Sequence, residues 1–226
     1  MNKDIRIIDA KNIPLSGFAG IVEKRMVMSP KIWPQAIGNE DLSQGLDDFL
    51  YLSYGHFKPS DGAPMHSHVD VDIVSVIING KVGHKGSLGD GTIIEGPGVQ
   101  VQRAGKGMTH SEFSVLDEKA DFIQMWFNPP AAGLQPGYYN YSLEHDELVT
   151  VLGGENETSF NSNMRCQVGF IAESKTLTLP YPFICIIFQG KAKVGDKIIS
   201  TGQLIEGSNI SITARERLGL AIIATR

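Results

Sequence analysis

Cysteine is scarce in this chain: Cys166 and Cys185 are the only two in 226 residues. Such a pair makes no disulfide framework and no zinc-ribbon spacing. Cys185, inside Phe183-Ile-Cys-Ile-Ile-Phe188, reads as a buried core thiol. Long apolar runs are also missing, none approaching the roughly 18 residues of a membrane-spanning helix. The start, Met1-Asn-Lys-Asp-Ile-Arg6, lacks the hydrophobic centre of a secretory signal. Positive charge is not in excess, with 20 Lys and Arg against 25 Asp and Glu and a net charge of -5. That balance argues against nucleic acid as a direct partner. Together these absences predict a cytoplasmic protein with no membrane partner. A hydrophobic content of 42% is enough for an ordinary core.

What is present is punctuation. Twenty-five glycines and eleven prolines are spread through the chain, cutting it into short alternating or apolar segments of the kind that form strands. Ile5 to Ile8, Gly20 to Met28 and Phe49 to Phe57 come first. The polar, glycine-bounded Gly38 to Leu46 is a loop. Asp72 to Ile78 runs into Asn79-Gly80, which predicts a type I′ hairpin leading to Lys81–Lys85. Further turns precede Thr92–Ile94, Val99–Gln102 and the segment reaching His110, and Asp121–Phe127 follows. After a soft boundary near residue 140, Leu143–Leu152 admits one or two helical turns. Strands then resume from Arg165 to Ala224. Short strands and frequent turns predict an all-β sandwich or barrel.

The two halves resemble each other. Ile77-Ile-Asn-Gly-Lys81 recurs as Ile187-Phe-Gln-Gly-Lys191, and Gly91-Thr-Ile-Ile-Glu-Gly96 as Gly202-Gln-Leu-Ile-Glu-Gly207. Offsets of 110 and 111 predict two tandem antiparallel barrels, over residues 1–140 and 141–226. At these offsets His66 and His68 map to Thr176 and Thr178, and His110 and Glu112 to Ala221 and Ile223. Only the first half then carries chemistry-bearing side chains at these places.

Those four residues sit in His66-Ser-His68 and His110-Ser-Glu112. Residues two apart on a strand share a face, so two adjacent strands would converge three imidazoles and one carboxylate. That set suits a divalent Fe, Mn, Co, Ni, Cu or Zn ion. Gly105-Lys-Gly107 is not a phosphate loop, because no helix pattern follows it.

Pro64-Met-His-Ser-His68, Asn79-Gly-Lys-Val-Gly-His-Lys-Gly-Ser-Leu-Gly89 and Gln102-Arg-Ala-Gly-Lys-Gly-Met-Thr-His-Ser-Glu112 resemble the N-terminal cupin of the pirin family. Asp121-Phe-Ile-Gln-Met-Trp-Phe-Asn-Pro129 is similar to the segment that follows it there. The match runs roughly from Phe49 to Tyr138. It implies a bicupin of the double-stranded β-helix, or jelly-roll, type. It also implies one metal, usually iron, on His66, His68, His110 and Glu112. Two activities go with the family: quercetinase-type dioxygenation, in which a flavonol or other enolisable aromatic substrate reacts with O2, and metal-dependent partnership with regulatory proteins. The chain departs from the pattern in its short, ligand-free second half and in Val69-Asp-Val-Asp72, where pirins usually show Arg-Gly-Phe-Glu.

In the dioxygenase reading Glu112 either is also catalytic, taking the proton of an incoming hydroxyl, or serves only as a charge-balancing ligand. The alternative is a non-catalytic, redox-responsive iron protein that binds another protein. His84 reads as a solvated strand residue and His56 as a packed or surface residue. Asp72 reads as either a support for a metal-bound histidine or a solvated acid. Met108, Met125, Trp126 and Phe127 read as core.

Overall fold

Alternation in Asp72–Asn79, Gly98–Arg103 and Ala120–Phe127 sends neighbouring side chains to opposite faces of a sheet. In the computed structural model, which describes residues 5–226, both faces are buried. These strands belong to a seven-stranded sheet. Its spatial order is Gly137–Ser142, Gly98–Arg103, Asp72–Asn79, Ala120–Phe127, Phe49–Phe57, Ile21–Met28 and Ser16–Phe18. Facing it is a four-stranded sheet of Gly62–His68, Met108–Ser114, Lys81–Gly86 and Ile93–Glu95. Together they form the first barrel.

The second barrel repeats the plan. Its larger sheet runs Arg6–Asp9, Gln203–Gly207, Phe183–Gln189, Leu218–Thr225, Met164–Ile171 and Leu148–Leu152. Its smaller sheet runs Thr176–Leu179, Ile210–Ala214, Lys191–Val194 and Lys197–Ser200. The chain is therefore an all-β bicupin. One edge strand arrives from far away: Arg6–Asp9 pairs with Gln203–Glu206, in the place that Gly137–Ser142 occupies beside Gly98–Arg103.

The two large sheets pack back to back. Val99, Val101, Ile123 and Met125 of the first meet Val168, Ile184, Ile186 and Phe188 of the second in one continuous core. Each such fully buried side chain contributes roughly 1.5–3 kcal/mol of hydrophobic stabilisation. The opposite face of each large sheet looks into its own barrel. The second barrel's interior is filled with apolar side chains, including Cys185, Ile187, Leu220 and Ile222. Both cysteines are free and buried.

Three expectations change. Asp72–Asn79 and Lys81–Gly86 are not a hairpin, because Gly80 carries the chain from the large sheet to the small one. A type I′ turn needs two left-handed residues, and here only Gly80 has a positive φ, +83°, with Asn79 extended within its strand. Leu143–Leu152 is not helical; Leu148–Leu152 is an edge strand.

The third concerns the repeat. The linear offset placed the counterparts of His110 and Glu112 on Leu218–Thr225, a strand of the large sheet. By topology the counterpart of Met108–Ser114 is instead Ile210–Ala214. Thr176 and Thr178 pair with Thr213 and Ser211 on the exposed face, while Leu177 and Ile212 face inward. A one-residue slip exchanges the two faces of a strand, so the place of the histidines in the second barrel is apolar. Among the described residues no helix is long and apolar enough to cross a membrane. Residues 1–4, on which the expected lack of a signal segment partly rests, lie outside those described.

Candidate metal centre

Gly62–His68 and Met108–Ser114 are hydrogen-bonded neighbours, with His110 directly opposite His66. His66, His68 and His110 thereby converge, and one ring nitrogen of each lies within 4.8 Å of the others. The hydrogen bonds assign the tautomers. His66 Nδ1 is 2.8 Å from the Pro64 carbonyl, and His110 Nδ1 is 2.9 Å from Gln102 Oε1. Each Nδ1–H donates to an oxygen, which leaves a lone pair on each Nε2. These two Nε2 atoms are 3.1 Å apart. Facing lone pairs repel, and a shared cation removes the repulsion. Two adjacent ligands at about 2.1 Å from one ion, at a right angle, lie about 3.0 Å apart. The three imidazoles therefore fit a divalent metal ion.

Burial disfavours the charged form of two of them. His68 is depressed to about 4 by desolvation and then by the neighbouring His110 and His66. His110 is depressed to about 3 by desolvation and then by His66 and His84. Neutral imidazole is the form that binds a metal.

Glu112 lies on the same strand as His110 but beyond a bulge. It is fully buried and lines the same cavity as His66 and His68, yet it is not one of the three-histidine group. Its carboxylate is gripped by amides: Gln100 and Gln102 donate to Oε1, and Gln124 donates to Oε2 at 3.3 Å. Desolvation raises its pKa, against the opposing pull of His84 and the Gln100 hydrogen bond.

Sequence reasoning missed this glutamine girdle. Tyr138 extends it, its hydroxyl donating to Gln100 Oε1 at 2.8 Å. The signal was there in Val99-Gln-Val-Gln102, where strand alternation puts both amides on one face and both valines on the other.

His84 also differs from expectation. It sits opposite Glu112 in register, so it faces inward, and it is 1% exposed. Its Nε2 lies 3.0 Å from Gln102 Oε1 and 3.3 Å from His110 Nδ1, behind the metal-facing ring. Asp72 fits neither earlier reading. It is buried and doubly bonded by Arg103, at 2.8 Å and 2.5 Å, and Arg103 also reaches the Asn161 carbonyl. Burial raises the Asp72 pKa while Arg103 pulls it down. His56 faces Asp121 across the sheet rather than the site. Met108, Met125 and Phe127 are core, as expected, but Trp126 is not simply core.

Trp126 is a wall of the cavity above the histidines, with its ring 5.7 Å from that of His68. Tyr51 and Trp33 complete an aromatic cluster, 4.8 Å and 6.1 Å from Trp126. The cavity has a volume of about 300 Å³. Ile21, Glu23 and Arg25, alternate residues of one strand, also line it. Glu23 is buried and accepts from the Tyr51 hydroxyl and from Arg25 Nε, both at 2.9 Å. Burial and the Glu23 carboxylate raise the Tyr51 pKa.

The family model described as Pirin matches residues 33–127. A Zymomonas mobilis protein provisionally named quercetin 2,3-dioxygenase is 38% identical over 182 residues, covering 74% of this chain and 77% of its own. A Caulobacter vibrioides pirin-like protein is 33% identical, covering 72% of this chain and 69% of its own. The crystal structure of the bacterial pirin YhhW from Escherichia coli, in complex with nickel(II), superposes with a TM-score of 0.83 at 17% identity. It covers 98% of this chain and 99% of that one.

Proposed function

Because this chain belongs to the pirin family, we propose that it is a metal-dependent dioxygenase of the quercetinase type, acting on a flavonol or another enolisable aromatic substrate. The observation that carries the reading is the convergence of three imidazoles at one end of an aromatic-walled cavity. In this proposal His66, His68, His110 and Glu112 hold one divalent ion, with iron as the expected metal. The name of the Zymomonas mobilis relative supports the reaction class, and the nickel(II) complex of the Escherichia coli pirin supports a resident metal.

When bound, a redox-active ion of this kind supplies the one-electron chemistry that dioxygen requires. The chain's own residues do the rest. Pro64 and Gln102 fix the ring orientations of His66 and His110 through their Nδ1–H groups. Glu112, whose basicity is raised by burial, accepts the proton of the substrate hydroxyl. Gln100, Gln102 and Gln124 hold that carboxylate in place. Trp126, Trp33 and Tyr51 offer flat faces to an aromatic ring and keep water from its edges.

The test combines elemental analysis with oxygen uptake. Purified protein should carry about one equivalent of metal, and iron-loaded protein should consume oxygen with quercetin or a related enol. A fully iron-loaded protein that consumes none with any flavonol or enediol would refute the reaction.

A further inference from the structure

The cavity has a cationic side chain that the proposed chemistry does not use. Arg25 is the one Lys or Arg among the cavity-lining residues. Its position is fixed from below, since Nε donates to Glu23 at 2.9 Å. Glu23 in turn spends its other oxygen on the Tyr51 hydroxyl. Neither acid at the cavity is free to neutralise a ligand at Arg25: Glu23 is held by this pair, and Glu112 is bonded to the glutamines and assigned to the proposed metal. A guanidinium carries five N–H donors in a rigid fork. Beyond Glu23 and the nearby Tyr51 oxygen, Arg25 has no other protein acceptor among the described residues. Its side chain lines the cavity and is 38% exposed rather than sealed in the core.

Size adds a second constraint. At about 300 Å³ the cavity is at the lower end of the range for small-molecule sites, which run from roughly 300 to 1,000 Å³. A compact, flat molecule fits this space. The histidines and Arg25 line the same small space, so one ring with oxygen substituents on opposite sides can address both.

We propose that Arg25 is the specificity-determining residue of this site. It seats the carboxylate of a small aromatic carboxylate while that molecule's phenolic or enolic oxygen faces the histidines. This assignment rests on the dioxygenase reading for the role of the oxygen, but the anion seat is a binding property that can be measured alone. A carboxylate presents two oxygens in the plane of the ring, the acceptor pair that a guanidinium fork binds best.

Both tryptophans of the chain, Trp33 and Trp126, line the cavity, so their fluorescence reports occupancy without turnover. Metal-loaded protein is titrated with 4-hydroxybenzoate and with 4-hydroxybenzamide, a neutral molecule of the same shape. The carboxylate should bind about tenfold tighter or better, the worth of a charge-assisted hydrogen bond. Arg25→Gln should abolish that preference and leave the amide's affinity unchanged, and Arg25→Lys should restore only part of it.

Equal binding of the two ligands to the wild-type protein would overturn the proposal without reference to any variant. So would an Arg25→Gln variant that lowers both affinities alike, the result of a purely structural partnership with Glu23. A carboxylate preference in protein that consumes oxygen with no substrate would sink the dioxygenase reading and leave the anion seat standing. Rapid flavonol oxidation with no carboxylate preference would do the opposite.

Discussion

His66 Nε2 and His110 Nε2 are 3.1 Å apart although the Nδ1 of each ring already faces an oxygen acceptor. The site is thus prepared for a cation by its surroundings as well as by its ligands. Gln102 is the partner that aims His110. Replacing Gln102 with Leu should lower metal affinity about 10–100-fold, the usual effect of losing a ligand's hydrogen-bond support. His110→Ala should lose the metal altogether. Competition titration against a chromogenic chelator separates the two outcomes.

Acid should weaken the metal-free protein. His68 and His110 have folded pKa values of about 4 and about 3, below the ordinary value near 6.5. Between those limits the unfolded chain binds protons that the folded chain refuses, so stability rises with pH there. Urea midpoints of the metal-free protein should be flat above about pH 6.5 and fall steadily towards pH 4. His68→Gln should flatten the fall, and an unchanged slope would remove His68 from the account.

Arg103 and Asp72 should be more costly to separate than to keep. Arg103→Leu leaves the fully buried Asp72 carboxylate without its charge partner and should destabilise the protein by about 3–5 kcal/mol in urea denaturation. It also removes the hydrogen bond to the Asn161 carbonyl and the stacking on Phe160. A double variant, Arg103→Leu with Asp72→Leu, should recover part of the loss.

Ile8 is 4% exposed and packs in the core shared by the two barrels. Ile8→Ala should cost about 2–5 kcal/mol. The loss should appear in both barrels at once, so near-neighbour fluorescence at Trp126 and hydrogen exchange in Gln203–Gly207 should report the same transition.

Most of the barrel plan was legible because strand alternation and glycine turns are local. His66 and His68 were legible as a pair for the same reason, since spacing by two fixes a common face, while their meeting with His110 depends on the pairing of two strands and a bulge sets Glu112 apart from the three. Errors came where one residue decides between faces or sheets. Asn79-Gly80 looked like a hairpin, but its glycine carries the chain across the barrel instead. Thr176 looked like the counterpart of His66, but it faces outward. His84 was read as solvated because its partner across the ladder, Glu112, cannot be found from sequence spacing. The glutamines escaped notice because an amide in a strand is usually a surface residue, and only the register of the opposing sheet turns them inward.

Arg6 and Glu206, joined at 3.0 Å, are 200 positions apart in sequence. The earliest described strand must therefore wait for nearly the whole chain before it has a neighbour, while the first barrel's edge is closed by Gly137–Ser142 from nearby. Loop closure over such a separation is slow. Until it happens, Gln203–Gly207 offers an unpaired edge to any passing strand. The second barrel has to recover Arg6–Asp9 to complete its large sheet, a stitch that binds the two barrels into one folding unit.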